Sequence, residues 1–508
     1  MRALEAPPRL RVSVAGQVLS GIAGSAVAAV RVQTRLGLPA QCVVDLDLDL
    51  ARSAPEAVPP APGDALCVEV VDQAVPLFVG AVTGVEHCFG PDRSRLQRVH
   101  AYDALHQLRQ RQQVRVLEGL TVRGLVEVLC DDTDLLVDGP EGPALPRVHQ
   151  HRRSDLEVLR DATQRCGLYP VVDGGLLRLV GLCGDGEPVE LSWGASLHSA
   201  QVEVSTGRGL RSVRVDRWDA ATVGSGSAWA DDASTRTETA AAWTTDDPGG
   251  GREQLLVDRL APDDVLAATW AQAELDRAVA GTVVADLVAD GDVRLRAGAR
   301  VRLRDLGGPV DGVHVLTEAP HDVDADGWVV HASTRPPAPP APHDLPGPAV
   351  TLGTVTDVED PERRGRVRVR AEAYGGLETS WVPVVTPGAG PGRGLLATPD
   401  VGDAVALLLV AADLDQALVL GGLHRSRGPR DDGVADGRVR RSTWSTAEGE
   451  LVALDDEHGA LRLENPNGSV VELGREQLRV TAATDLLIEA PGHVLTLRAR
   501  AVRFEEAP

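Results

Sequence analysis

From residue 10 to about 100, apolar residues alternate with polar ones or run in short blocks. Examples are AAVRVQTR (28–35), QCVVDLDLDL (41–50) and ALCVEVVD (65–72), with turn-rich stretches between them. Such a pattern predicts β-strands. The spacing changes between 101 and 170. There AYDALHQLRQRQ (101–112), TVRGLVEVLCDD (121–132) and RRSDLEVLRDATQRCG (152–167) place apolar residues three and four apart, which predicts helices. Thr121 stands as an N-cap. Ser154-Asp155-Leu156-Glu157 is a capping box, and Gly167 is a natural stop. Strands resume at GLYPVVDGGLLRLVG, a helix is predicted over 264–280, and strands return to about 335. Residues 217–262 are rich in Ser, Thr, Ala, Gly and Asp, and are expected to be a polar surface insertion. RPPAPPAPHDLPGPA is a semi-rigid linker, taken as 336–349. Residues 350–424 read as a compact all-β unit of short strands and Gly/Pro turns.

The tail alternates again: LRLENP, SVVELG, QLRVTA, DLLIEA, HVLTLRA, AVRFEE. Val480, Ile488, Leu497 and Phe504 recur at steps of eight, nine and seven residues, and Leu478, Leu486, Leu495 and Val502 repeat the same steps. This suggests a repetitive β-needle over 440–508. So short a needle buries too little apolar surface alone. Several copies are expected to share the core, with three the smallest number that closes a prism. The fold class is therefore mainly β with a minor helical part.

Composition then narrows the chemistry. The chain has 508 residues and a formal charge of −23, and all 51 of its cations are arginine. Without lysine there is no Schiff base and no P-loop or kinase-type phosphate clamp. The negative balance argues against nucleic-acid binding and stable membrane association. No run of ~20 apolar residues spans a membrane. The N-terminal stretch MRALEAPPRLRVSVAGQ lacks a secretory pattern, so synthesis and assembly in the cytoplasm are expected. The six cysteines lie singly in apolar stretches and are expected to be buried free thiols. Arg366, Arg368, Arg370, Arg498 and Arg500 alternate with apolar residues and should face outward, pairing with the abundant acids.

Catalytic candidates are thin. His149-Gln150-His151, with Asp155 nearby, has ligand spacing but no third ligand in reach, and reads as surface histidines. Asp131-Asp132, Asp231-Asp232 and Asp431-Asp432 lack calcium-loop grammar. The glycines of GPGRG (390–394) precede no helix and serve a turn. Aromatic platforms on which single-stranded nucleic acid could stack are scarce. The chain is expected not to be an enzyme, with no catalytic, cofactor-binding or metal residues.

At 350–424 the chain resembles the OB domain of VgrG and phage spike proteins. Asp360-Pro361 precedes Gly365-Arg366-Val367-Arg368-Val369. Ser380-Trp381-Val382 follows, then Pro387-Gly388-Ala389-Gly390 with Gly392-Arg393-Gly394, then Pro399-Asp400-Val401-Gly402-Asp403, and last Leu418-Val419-Leu420-Gly421-Gly422-Leu423. Relatives often carry aromatics where this chain has Leu395-Leu396. More loosely, 80–111 and 154–175 are similar to the same family's hub. The resemblance implies two hub-type β-barrels over 1–335, an OB-fold barrel over 350–424 and a short trimeric C-terminal β-needle. Gly365, Arg366, Val367, Trp381, Gly402, Asp403 and Gly421 carry the OB signature, and Val480, Ile488, Leu497 and Phe504 are the proposed needle core. The implied function is that of a contractile injection system spike. Such a homotrimer caps the tail tube, adapts its sixfold symmetry to a threefold needle, organises the baseplate and punctures the target envelope.

The implied partners are an inner-tube (Hcp-like) protein, baseplate proteins, a PAAR-like tip protein and effector cargo. The plan lies nearest an extracellular injection particle, with a phage or tailocin hub-spike or a type VI VgrG as alternatives. A spike that also hydrolyses cell wall would need a catalytic insertion. A free carbohydrate-binding protein would need an aromatic-lined groove, which 14 aromatic residues hardly provide.

Overall fold

The computed structural model describes residues 8–505 apart from 54–58, 92–93, 206, 208, 220–223, 236–251, 257–260, 262, 308–309, 339–348, 391, 411–412 and 426–427. Most of the Pro-rich linker (339–348) lies outside the described residues. The chain divides into two compact units, Met1–Gly422 and Leu423–Pro508.

The first unit is built on one curled sheet of 11 strands. From edge to edge these are Leu197–Val204, Val283–Asp290, Gly327–Ser333, Glu318–Asp324, Val27–Arg35, Gln41–Asp47, Arg95–Tyr102, Phe78–Phe89, Ala65–Val70, Leu10–Val14 and Gln17–Val18. Alternation sets the faces: along Gln41–Asp47, Cys42, Val44 and Leu46 are buried while their neighbours are partly exposed. The sheet serves two cores. Val12, Val30, Val44, Val68 and Phe78 belong to one. Leu191, Leu287, Leu303 and Val330 belong to the other, which is capped by the small sheet Asp185–Ser192, Ala299–Arg304, Gly312–Val315. One sheet thus serves two separate cores. Hydrogen bonding is continuous between them, because Val27–Arg35 pairs on one side with Gln41–Asp47 and on the other with Glu318–Asp324.

Between the halves of this sheet the chain makes a helical module. Leu105–Gln110, Val122–Cys130 and Asp155–Arg165 pack Leu105, Leu125, Leu129 and Leu159 into a shared core with the helix Asp264–Ala280. The caps are those the sequence predicts. Thr121 accepts from Gly124 N–H at 3.1 Å. Ser154 N–H donates to Glu157 Oε2 at 2.7 Å, while Glu157 N–H donates to Ser154 Oγ at 3.3 Å. The first helix is shorter than its apolar spacing suggests, since the strand Arg95–Tyr102 holds the chain up to Tyr102, which pairs with Gln41.

Residues 217–262 differ from the expected unstructured insertion. Within that range Gly224–Ala230 and Glu253–Leu256 flank Ser212–Asp219 in a three-stranded sheet. Ala228, Ala230, Ala233 and Leu256 pack onto the same core as the helix Asp264–Ala280. Small apolar residues every second position suffice for a strand against a helix, although composition alone makes them look like loop. Residues 236–251 fall outside the described residues.

The cysteines are free, as expected, but not uniformly buried: Cys42 and Cys130 are buried and Cys183 is exposed. Burial pushes the Cys130 thiol up to about 11 and Cys166 up to about 12, which keeps them unreactive at neutral pH. No helix among the described residues is long and apolar enough to cross a membrane.

Candidate functional site

Two places in the structure carry chemistry or packing that the fold itself does not consume. The first is the small barrel at 349–423 and its seat on the helical module. The second is one face of the C-terminal unit.

The small barrel runs Leu377–Glu378, Arg368–Ala371, Ala349–Asp357, Ala404–Leu409, Ala417–Leu423. Residues 382–385 close it. Val382 exchanges backbone bonds with Val367, Val385 N–H donates to Val419 O at 2.8 Å, and Val419 N–H donates to Pro383 O at 2.9 Å. Val355, Val367, Val369, Val405, Leu407 and Val419 fill the interior.

The signature residues have structural explanations. Asp360 is a caged carboxylate. It accepts from Arg364 N–H at 2.8 Å, Glu362 N–H at 3.1 Å, Arg366 Nε at 3.1 Å and Arg366 Nη2 at 2.7 Å. The side chains are 3% and 10% exposed. Arg366, expected on the solvent side, is therefore an internal partner, because the turn folds its guanidinium back onto Asp360. That hydrogen bonding holds the Asp360 carboxyl well below the usual carboxylate range. Arg368 and Arg370 do face outward and pair with Glu378 and Glu372. Arg368 also lies over the Trp381 ring, 5.2 Å from its centroid. Gly402 N–H donates to Val355 O at 2.9 Å, and the Asp403 carboxylate accepts from Asp400 N–H at 2.9 Å. Gly421 lies in the last strand. The glycine-rich loop is closed on itself: Gly390 and Arg393 exchange backbone bonds at 3.0 and 3.1 Å. At Gly394 (φ +130) a Cβ would come within 2.9 Å of Ala389 Cα. The loop needs glycine for its own turn.

The seat is a two-faced hairpin, Arg115–Thr121 paired with Ala144–Gln150. One face carries Leu117 and Val148 into the helical core. Gln150 and Arg115 on that face reach Asp155, which is fully buried. Arg111 Nε at 3.0 Å, Arg115 Nη2 at 3.1 Å and Gln150 Nε2 at 2.7 Å all donate to its carboxylate. Asp155→Ala leaves Arg115 without its counter-ion and Arg111 with only the exposed Asp132. It is expected to cost about 3–5 kcal/mol and to accelerate amide exchange in the helix Asp155–Arg165, measured by hydrogen-exchange mass spectrometry.

The opposite face presents Val116, Glu118, Arg147 and His149 to the barrel. Val116 packs on the barrel core. Arg147 Nη2 donates to Glu378 O at 3.0 Å and lies 3.0 Å from Glu118, and its Nη1 lies 3.4 Å from Asp415 Oδ1. His149 Nδ1 stands 3.6 Å from Asp415 Oδ2. His151, two residues on, stacks obliquely on Tyr374 with centroids 5.0 Å apart. Gly375 follows with φ +72. The histidine pair is therefore half-buried at a joint rather than free on the surface, and Asp155 belongs to the other face. Sequence spacing offered no sign of Asp413 and Asp415, which arrive from the barrel.

In the C-terminal unit, five strands form an antiparallel meander: Arg441–Ser445, Leu451–Asp455, Ala460–Glu464, Val470–Leu473 and Leu478–Thr481. The register aligns Trp444, Val452, Leu463, Val471 and Val480 in one cross-strand row, with Leu454, Leu461, Leu473 and Leu478 in a second row on the same face. The other face carries Arg462, Glu464, Glu472 and Arg479. Among the described residues of this unit only Ala453 is a buried apolar residue. The apolar face lies open in the single chain, with Val480 52% exposed. The remaining members of the expected row, Ile488, Leu497 and Phe504, lie beyond the last strand and are 64%, 75% and 93% exposed. The tail thus differs from an evenly repeating set of strands: it is a hairpin meander followed by chain with no strand partner of its own.

Residues 351–424 match the family of type VI secretion system/phage-baseplate injector OB domains. No curated protein matches the chain by sequence. Among solved structures, a chain of the Francisella PdpA-VgrG complex aligns over 95% of this chain and 89% of its own, at 7% identity and a TM-score of 0.54. The E. coli c3393 protein, described as a component of the type VI secretion system with structural similarity to T4 bacteriophage tail proteins gp27 and gp5, aligns over 83% of this chain and 99% of its own. There the identity is 13% and the TM-score 0.51. At these identities the likeness concerns fold, and it spans nearly the whole chain. The caged Asp360 turn and the closed barrel around Val367, Val382 and Val419 lie in an injector OB domain, and the chain as a whole shares its fold with a chain of the PdpA-VgrG complex and with c3393.

Proposed function

We propose that this chain is the structural spike of a contractile injection system. It acts as a homotrimer that caps the tail tube, adapts its sixfold symmetry to a threefold axis, organises the baseplate and punctures the target envelope. The observation that carries the reading is the open apolar face of the C-terminal meander. A five-stranded sheet with one face of Val, Leu and Trp and no core of its own requires a partner. Copies of the same chain supply matching faces, and three close a prism. The injector OB domain supports the setting. The two cores served by the large sheet, repeated three times, would offer six similar lobes to a sixfold tube. An inner-tube protein, baseplate proteins and a small tip protein are the partners that follow, with effector cargo carried alongside. The protein would be assembled in the cytoplasm and act from the fired particle. The work is packing and symmetry, which asks for no catalytic group, metal or cofactor.

The test is the mass of the purified chain by light scattering. Three times 53.5 kDa is expected, falling to the monomer mass when 441–508 are removed. A full-length chain that is a stable monomer would overturn the reading.

A further inference from the structure

The joint between hairpin and barrel holds more negative charge than its arginine balances. Glu118 and Asp415 share the single guanidinium of Arg147. Asp413 adds a third carboxylate, and its Oδ1 accepts only the Asp415 N–H at 2.9 Å. No arginine pairs with Asp413 among the described residues, and the charges that favour its ionised form come from His149 and Arg165. Facing Asp415 is His149, whose Nδ1 lies 3.6 Å from Asp415 Oδ2. One ligand atom from each of His149, Asp413 and Asp415 lies within 4.8 Å of the others.

We propose that His149, Asp413 and Asp415 form a divalent-cation site that ties the OB barrel to the hairpin beneath it. The donor set is one imidazole nitrogen and two carboxylate oxygens with no thiolate, which suits Zn2+ and neighbouring first-row ions. Around an ion with bonds of about 2.0–2.2 Å, tetrahedral donors stand roughly 3.3–3.6 Å apart. His149 Nδ1 and Asp415 Oδ2 are already 3.6 Å apart, so only the Asp413 carboxylate has to swing inward. Arg147 occupies Asp415 Oδ1 and thereby presents Oδ2 to the histidine. A fourth position remains for water. All three donors belong to one chain, so the site stands independently of the oligomeric state. It would act as a lock that adds to the Val116, Arg147 and His151 contacts across this joint.

The experiment uses the full-length chain, stripped with chelator, equilibrated with Zn2+ and desalted, with metal counted by elemental mass spectrometry. One retained Zn2+ per chain is expected. His149→Gln and Asp413→Asn should each weaken retention at least about tenfold. His458→Ala, which removes the exposed Asp455/Glu457/His458 group, should leave it unchanged. Zn2+ should also slow amide exchange in Ala144–Gln150 in the unaltered chain and not in Asp413→Asn. The Asp413→Asn substitution lies at an exposed side chain and should leave the far-UV spectrum intact. Zn2+ retention that is equal in all forms, that is lost only with His458→Ala, or that is absent from the unaltered chain at every pH tested overturns the proposal.

Discussion

Leu463→Asp is expected to leave a monomer of 53.5 kDa in place of the proposed trimer. Leu463 stands in the middle of the row Trp444, Val452, Leu463, Val471, Val480, on the third of five strands. Burying a leucine side chain is worth about 1.5–3 kcal/mol, and a closed prism collects this three times per rung. A carboxylate at the same position loses that gain and adds the cost of burying three charges around one axis. Arg479→Ser on the opposite face is the control, and should keep the trimer. Ile488→Asp asks a further question. Loss of the trimer there as well would mean that residues past the last strand join the shared core. Loss with Leu463→Asp alone would confine the core to the meander.

Asp360→Ala should unfold the OB barrel selectively, at a cost of about 3 kcal/mol, because it leaves the buried Arg366 guanidinium with Glu362 alone and releases three backbone N–H groups. The pH dependence has a definite sign. Arg366 holds the Asp360 carboxyl below its unfolded value, so its stabilisation is complete above the ordinary carboxylate range and is lost as pH falls below it. Denaturant unfolding read at Trp381 should therefore show a steep loss of stability on the acid side in the unaltered chain. In Asp360→Asn that acid limb should be shallower, from a lower plateau. Equal pH profiles in the two proteins would show that the caged turn contributes no charge-linked stability.

Much of this was legible from local pattern. The caps at Thr121 and Ser154 depend on residues three positions away, and they formed as the sequence implies. The OB signature was legible because its turn is local: Asp360 and Arg366 are six residues apart and satisfy each other. Even so, alternation put Arg366 on the outside, since a strand period cannot register a side chain that folds back onto a turn. The segment 217–262 misled because its composition is that of a loop. The strands Gly224–Ala230 and Glu253–Leu256 exist because Ser212–Asp219 pairs with both and a helix covers them.

The tail shows both sides of this division. Its spacing already marked Val480 as a member of an apolar row, and strand pairing carries that row back through Val471, Leu463, Val452 and Trp444. That the upstream strands pair as antiparallel hairpins is a matter of register, which hydrophobic period leaves open.

By itself the sequence determined the class of fold, the helix caps at Thr121 and Ser154 and the injector-type OB barrel, because each rests on residues close together along the chain. The tertiary structure decided which groups meet across it. His149 and Asp155 are neighbours in sequence, yet His149 faces the barrel while Asp155, at the start of the next helix, is held by Arg115 and Gln150 on the hairpin's other face. His149 and Asp415 belong to different domains and stand 3.6 Å apart. Strand alternation separates the first pair, and only the docking of the barrel onto that hairpin creates the second.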